Sequence, residues 1–157
     1  MKLSKNHILD YLKDHNLMQV ATNGNDHPWI ASVYYSFDNN LNLFFLSSPT
    51  TFHCKQISEN SKVAVAITNS NQSMSGYKKG LQIYGVAEQI SDVAKIKHAL
   101  KLWKDNLGVK DDKLTHENMI MRVVSGRMYK ITPKKIKFFN QELFEVEDGE
   151  EPILILK

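Results

Sequence analysis

The stretch Trp29–Phe37 limits the possible folds more than any other part of the chain. Trp29, Ala31, Val33, Tyr35 and Phe37 fall on one side of an extended backbone, and Ile30, Ser32, Tyr34 and Ser36 on the other. A period of two belongs to a strand, not a helix. The stretch runs straight into Asp38-Asn39-Asn40 and then a second apolar run, Leu41–Leu46. So short a link makes the two strands antiparallel neighbours, because a parallel pair needs a crossover of about a dozen residues.

The same patterning predicts further strands. One covers Leu17–Thr22 and closes at Asn23-Gly24-Asn25-Asp26, and another is the valine- and alanine-rich Lys62–Thr68. A long strand is expected over Gly80–Ile90, where Gly85 marks a bend or bulge. Two more, Val124–Ile131 and Lys135–Phe139, flank Thr132-Pro133, and a terminal strand pair is expected to turn at Asp148-Gly149. Helices are fewer. Ser4 is placed to cap one over Lys5–Asn16, with Ile8, Leu9 and Leu12 on one face. A short one is expected over Phe52–Ser58. Ser91 or Asp92 caps a third over Val93–Leu107, whose apolar stripe is Ile96, Leu100, Trp103 and Leu107. Val109–Met121 is ambiguous between loop and short helix. Six or seven antiparallel strands, few helices and no βαβ rhythm indicate a mainly β protein. The expected architecture is a six- to seven-stranded antiparallel β-barrel with two or three peripheral helices, closure removing the exposed sheet edges.

With 157 residues the chain is expected to be a single domain, with an acidic C-terminal extension from about residue 141. A chain of this size buries about 70% of its unfolded surface, which is core enough without staples. Cys54 is the only cysteine, so an intrachain disulfide framework and a multi-cysteine zinc site are excluded. The six histidines (7, 15, 27, 53, 98, 116) show no paired ligand spacing, and no metal site is expected. No run approaches the ~20 apolar residues of a membrane span, and Met1–His7 turns polar before a signal-peptide core. The expectation is a soluble cytoplasmic protein. The formal charge of +3 conceals an asymmetry, because Glu142, Glu145, Glu147, Asp148, Glu150 and Glu151 crowd the end of the chain. With these six and Lys157 set aside, residues 1–141 carry 19 basic and 11 acidic groups. That balance suits an anionic ligand or simply a solvated basic face. Zinc-finger spacing and glycine-aromatic RNA-binding runs are absent, and no nucleic-acid partner is expected.

The segment richest in chemistry is Ser47–Lys55. Four hydroxyls (Ser47, Ser48, Thr50, Thr51) precede a helix whose first turns carry His53 and Lys55. A helix start offers unpaired N–H groups and the positive end of the dipole, which suits a phosphate; Lys55 or protonated His53 adds charge. The alternative is that Thr50 or Thr51 merely caps the helix. Cys54 reads as a buried, inert thiol, since adjacent His53 is expected to point elsewhere on the helix. No G-x-S-x-G, P-loop or G-x-G-x-x-G is present. Tyr34-Tyr35 would either flank a planar ligand or pack.

Taken in order, these pieces resemble the FMN-binding split barrels related to pyridoxamine 5'-phosphate oxidase. They are the first helix, Val20-Ala21-Thr22, Trp29–Phe37 with Asp38, and Leu43–Ser47. Thr51–Ile57 ahead of Asn60, Val63–Ile67, Leu81–Ala87, and Tyr129-Lys130-Ile131-Thr132-Pro133 leading to Ile136 complete them. The resemblance extends to about Phe139 and is nearest to a small, uncharacterised bacterial branch sharing the Thr-x-His step, here Thr51-Phe52-His53.

The resemblance implies a split β-barrel and an FMN cofactor in a groove between the subunits of a homodimer. It places Ile30, Ala31, Ser32, Val33, Tyr34 and Tyr35 along the isoalloxazine ring. Leu46, Ser47, Thr51, Phe52, His53 and Lys55 lie where the phosphate is received, and Lys79, Gly80 and Gln82 where a neighbouring strand meets the flavin. It implies an oxidoreductase with an unidentified small-molecule substrate. The chain departs from the family at Phe52-His53, where Arg-Lys is usual, so charge must come from Lys55, His53 or the Lys78-Lys79 pair. No arginine follows Arg127 and the C-terminal stretch is acidic, so pyridoxamine phosphate oxidation itself is not expected. The acidic end would either cover the groove or hang free. The alternative function is a non-catalytic barrel binding haem (His53 as axial ligand), another planar cofactor, or none.

Overall fold

The computed structural model describes residues 1–157. The elements are α1 (Lys5–Lys13), β1 (Leu17–Asn23), β2 (Pro28–Phe37), β3 (Leu43–Ser47) and α2 (Phe52–Glu59). They continue with β4 (Lys62–Thr68), β5 (Lys79–Gln89), α3 (Val93–Leu107), α4 (His116–Ile120), β6 (Arg127–Asn140), a 3-10 turn at Val146–Asp148 and β7 (Ile153–Ile155). The sheet order is β3-β2-β1-β4-β5-β6-β7, and β3 also pairs with β6. Six antiparallel strands therefore close into a barrel with β7 added outside the closure, and the expected mainly β split barrel is the observed fold.

Closure depends on β6, whose two edges serve three neighbours. One edge pairs with β5 from Asn140 back to Tyr129; the other pairs with β3 over Arg127–Ile131 and with β7 over Lys135–Lys137. The handover sits at a bulge. Tyr84 faces Lys135 and Gly85 faces Pro133, so Lys134 has no partner on β5, and its carbonyl accepts the Leu156 N–H at 2.9 Å. A Cβ on Gly85 would come within 2.8 Å of the Thr132 carbonyl oxygen, which explains the glycine expected at a bulge. The two strands predicted on either side of Thr132-Pro133 are thus one bent strand: Pro133, which has no N–H to donate, sits where the ladder is already interrupted.

Other boundaries shift for local reasons. β3 starts at Leu43 rather than Leu41, because Leu41 takes a left-handed φ of 67° while the Asp38 carboxylate accepts the Asn40 and Asn42 amides. The first helix ends at Lys13 instead of Asn16, whose carbonyl accepts the Tyr35 N–H. Its Ser4 cap is completed by His7 in a reciprocal box. Asp92 caps α3 through the Lys95 amide, and Gly108 closes it at φ 67°. The ambiguous segment after α3 contains the five-residue α4, a fourth helix. At the C-terminus the expected strand pair is absent: Asp148 ends the 3-10 turn, Gly149 reverses the chain at φ 86°, and only β7 follows, paired to β6.

The barrel interior holds one apolar cluster, and α1 and α2 plug its ends with Ile8, Tyr11, Leu12, Cys54 and Ile57. A second, smaller cluster lies outside the barrel, where α3, the connection after it and α4 lay Leu100, Trp103, Leu114 and Met119 over Phe44 and Met128. The acidic end does not hang free. Phe144 is buried between His7 and Phe138, and Asn140 caps the Glu142 and Leu143 amides. No helix is long and apolar enough to cross a membrane.

Candidate functional site

Parity along β3 and β6 decides which side chains meet at one mouth of the barrel. The facing pairs Leu43–Ile131, Phe45–Tyr129 and Ser47–Arg127 share one register, and the first two pairs are buried in the barrel core. The third is half-buried at the rim, under the start of α2. There Ser47 Oγ lies 2.8 Å from His53 Nε2, and Thr51 Oγ1 lies 3.3 Å from the same nitrogen. Thr51 stands at the N-cap but does not cap, since its hydroxyl donates to the Ser48 carbonyl at 2.7 Å. The first three amides of α2 (Phe52, His53, Cys54) consequently find no acceptor in the chain. An uncapped helix start ringed by hydroxyls is a site that accepts an anion.

Cys54 is buried, as expected, but its thiol is shifted toward ionisation. Burial, which leaves it 3% exposed, pushes its pKa up. The neighbouring polar side chains of His53, Thr51, Tyr129 and Ser47 outweigh that burial and bring the thiol down to about 7. Burial raises Tyr129, as does the nearby Cys54, while the charge of Arg127 opposes the shift. Tyr129 also donates to Gln89 Oε1 at 3.5 Å.

Sequence reasoning missed Arg127, Tyr129, Gln89 and the involvement of Cys54. Strand pairing brings Arg127 to Ser47 across a long sequence separation, which no local motif announces. One Arg127 nitrogen, Nη1, is held by the carbonyls of Val124 and Gly126 at 2.9 and 2.8 Å, and its other nitrogens find no acceptor in the chain. Lys55, exposed one turn into α2, has no ion pair.

The remaining predicted residues occupy other faces. Ile30, Ser32 and Tyr34 point outward, with Ile30 63% and Tyr34 57% exposed. Ala31 and Val33 point inward and are half-buried, while Tyr35 is buried and donates to the Leu12 carbonyl at 2.9 Å. Leu46 turns away from Ser47 to pack beneath α3. Phe52 leans on Trp29, edge-on at 5.3 Å. Gln82 joins a row across the outer sheet, Ser32–Gln19–Ala66–Gln82–Lys137, beside the row Ile30–Ala21–Ala64–Tyr84–Lys135. Together these rows line a shallow cavity of about 510 Å³ floored by alanines. Lys79 and Gly80 lie at the far end of β5 from Gln89, roughly 30 Å along the strand at about 3.3 Å per residue. Lys79 is moreover ion-paired to Glu142. Within one chain, therefore, the structure assembles Ser47, Thr51 and His53, places Ile30 and Ser32 with Gln82, and holds Lys79 and Gly80 apart from the first group.

A closed six-stranded split barrel with an added strand and an uncapped, hydroxyl-ringed helix at its mouth is the class of protein defined here. Residues 4–139 match the sequence profile of the pyridoxamine 5'-phosphate oxidase family, and the chain belongs to that family. A UPF0306 protein of Pasteurella multocida (strain Pm70) is 30% identical over 84 residues, 53% of this chain and 56% of that protein, so the match spans about half of the relative's length. Among solved structures, an FAD-binding protein from Mesorhizobium loti superimposes with a TM-score of 0.65 at 16% identity, covering 85% of this chain and 90% of that one. A heme-binding protein from Mycobacterium smegmatis gives 0.66 at 14% identity, covering 88% and 55%. Likeness at these identities shows a shared fold.

Proposed function

We propose that this protein is a flavoprotein that holds its flavin by the phosphate, FMN being the smallest such form, and serves as an oxidoreductase on a small molecule. The observation that carries the reading is the start of α2. Three unpaired amides, the Ser47 hydroxyl at the rim, and the cations Lys55 and Arg127 match what a phosphate monoester requires. The family and the FAD-binding relative support flavin as the group attached to that phosphate. When bound, flavin supplies the hydride chemistry; the chain's task is to position the ring and exclude competing reactions. Ile30, Ser32, Tyr34 and Gln82 would face the ring from the outer sheet, with backbone contributions from Ala31, Val33 and Tyr35.

A homodimer is part of the proposal for a geometric reason. Ser47–His53 and Lys79–Gly80 lie too far apart along the strands of one chain to touch one flavin, so a cofactor meeting both sets must bridge two copies. The exposed Leu17, Ile30, Tyr34 and Tyr84 provide the apolar area such a contact needs. In its present orientation His53 makes a poor axial haem ligand, because its Nε2 is engaged by Ser47 and Thr51.

The deciding experiment is the visible spectrum of the purified protein before and after adding FMN and removing the excess. A retained flavin spectrum supports the reading. A colourless protein that retains no added FMN overturns it and leaves a barrel working without flavin.

A further inference from the structure

Beside the uncapped start of α2, three aromatic rings stand in water. His27, Trp29 and Phe52 pack on one another with centroids 5.2 to 5.9 Å apart, yet Trp29 remains 48% and Phe52 39% exposed. None of the three belongs to either apolar core. Fastening the β1–β2 turn to α2 does not account for them, because polar contacts already do so. Gln56 donates to the His27 carbonyl and accepts from Thr22, Glu59 accepts the Asn25 amide, and Asn60 donates to the Asn23 carbonyl.

Open aromatic faces are a platform on which a nucleobase stacks. Phe52 ties this platform to the anion site, since its own amide is one of the three unpaired N–H groups and its ring forms one wall of the cluster. A phosphate seated on those amides therefore has its next substituent beside the rings. FMN ends at that phosphate and leaves the cluster bare; a flavin whose phosphate continues through a pyrophosphate into adenosine reaches it. Lys55, exposed and without an ion pair, supplies charge for the second phosphate. Asp26, 3.5 Å from His27 Nε2, sets a carboxylate acceptor near the rings, matching the exocyclic amine of adenine. We propose that His27, Trp29 and Phe52 form a purine subsite, and that the protein takes a flavin adenine dinucleotide in preference to the mononucleotide. The inference rests on the flavin reading above.

Calorimetric titration of the full chain with FMN and with FAD tests it. FAD is expected to bind about ten-fold more tightly than FMN, the order of magnitude of one base stacked on an aromatic face. Replacing both His27→Ala and Trp29→Ala should remove that preference while changing FMN affinity by less than about two-fold. Trp29→Tyr, which keeps an aromatic face, should retain most of it. Equal affinity of the unaltered protein for the two flavins, or a double variant that loses both equally, overturns the purine subsite alone. Failure to bind either flavin overturns the flavin reading along with it.

Discussion

Ser47 and His53 face each other across the mouth of the barrel, hydroxyl oxygen to Nε2 at 2.8 Å, one at the end of β3 and the other in the first turn of α2. The contact spends the imidazole on an internal partner and leaves Lys55 and Arg127 as the cations with free donors. Under the proposed function, Thr51→Ala with Lys55→Ala should weaken flavin retention about ten-fold, and Arg127→Ala by a similar factor, as expected for losing a charge-assisted hydrogen bond. Equilibrium dialysis with FMN checks this. Unchanged retention in both variants would mean the phosphate is not held here.

The Cys54 thiol makes stability depend on pH in a defined direction. Its folded pKa, about 7, lies below its ordinary value of 9.0. The stabilisation is therefore full above the ordinary value and is lost as pH falls through about 7. The difference in urea midpoint between the native chain and Cys54→Ser should widen from pH 7 to pH 9. A difference that is flat across that interval would refute the thiolate.

At alkaline pH the buried tyrosines act in the opposite sense. Burial raises Tyr35, with Tyr11 and Asp14 adding to the shift, and burial also raises Tyr11. A raised folded value means that stability is complete below the ordinary value of 10.0 and is lost as pH climbs above it. In a chain whose exposed tyrosines are replaced (Tyr34→Phe, Tyr77→Phe and Tyr84→Phe), alkaline unfolding should coincide with the rise of tyrosinate absorbance. Tyrosinate appearing well before loss of circular dichroism would contradict it.

Two glycines should differ in cost by their surroundings. Gly85→Ala drives a Cβ against the Thr132 carbonyl at the bulge and should cost about 1–3 kcal/mol. Gly108→Ala meets no neighbouring atom and bears only its φ of 67°, about 1 kcal/mol. Urea denaturation of both variants gives the order; Gly85→Ala at no greater cost than Gly108→Ala would contradict the close approach.

Buried polar groups give a further contrast. Ser36 Oγ is 1% exposed in its residue and has no hydrogen-bond partner, so Ser36→Ala should be neutral or stabilising by about 1 kcal/mol. Gln56 is equally buried but bonds both Thr22 and the His27 carbonyl. Gln56→Ala should cost about 2–3 kcal/mol because both partners are left unsatisfied. Thermal unfolding of the pair decides, and a destabilised Ser36→Ala would imply a partner for that hydroxyl.

What the sequence determined by itself was everything governed by neighbours along the chain. The period of two in Trp29–Phe37, the turn at Asp38–Asn40, the Ser4 and Asp92 caps and the bulge at Gly85 are local consequences of backbone geometry, and each recurs in the structure. The helix start at Thr51–His53 could be read the same way. Only the tertiary structure decided which faces those elements share. That Arg127 stands beside Ser47, that Cys54 is pulled toward ionisation, and that Phe52 leans on Trp29 instead of reaching a phosphate all follow from barrel closure through β6. So does the distance between Lys79 and the helix start. The physical reason is that the register of one long strand against two partners sets these contacts, and register is the sum of many weak pairings that no short motif carries.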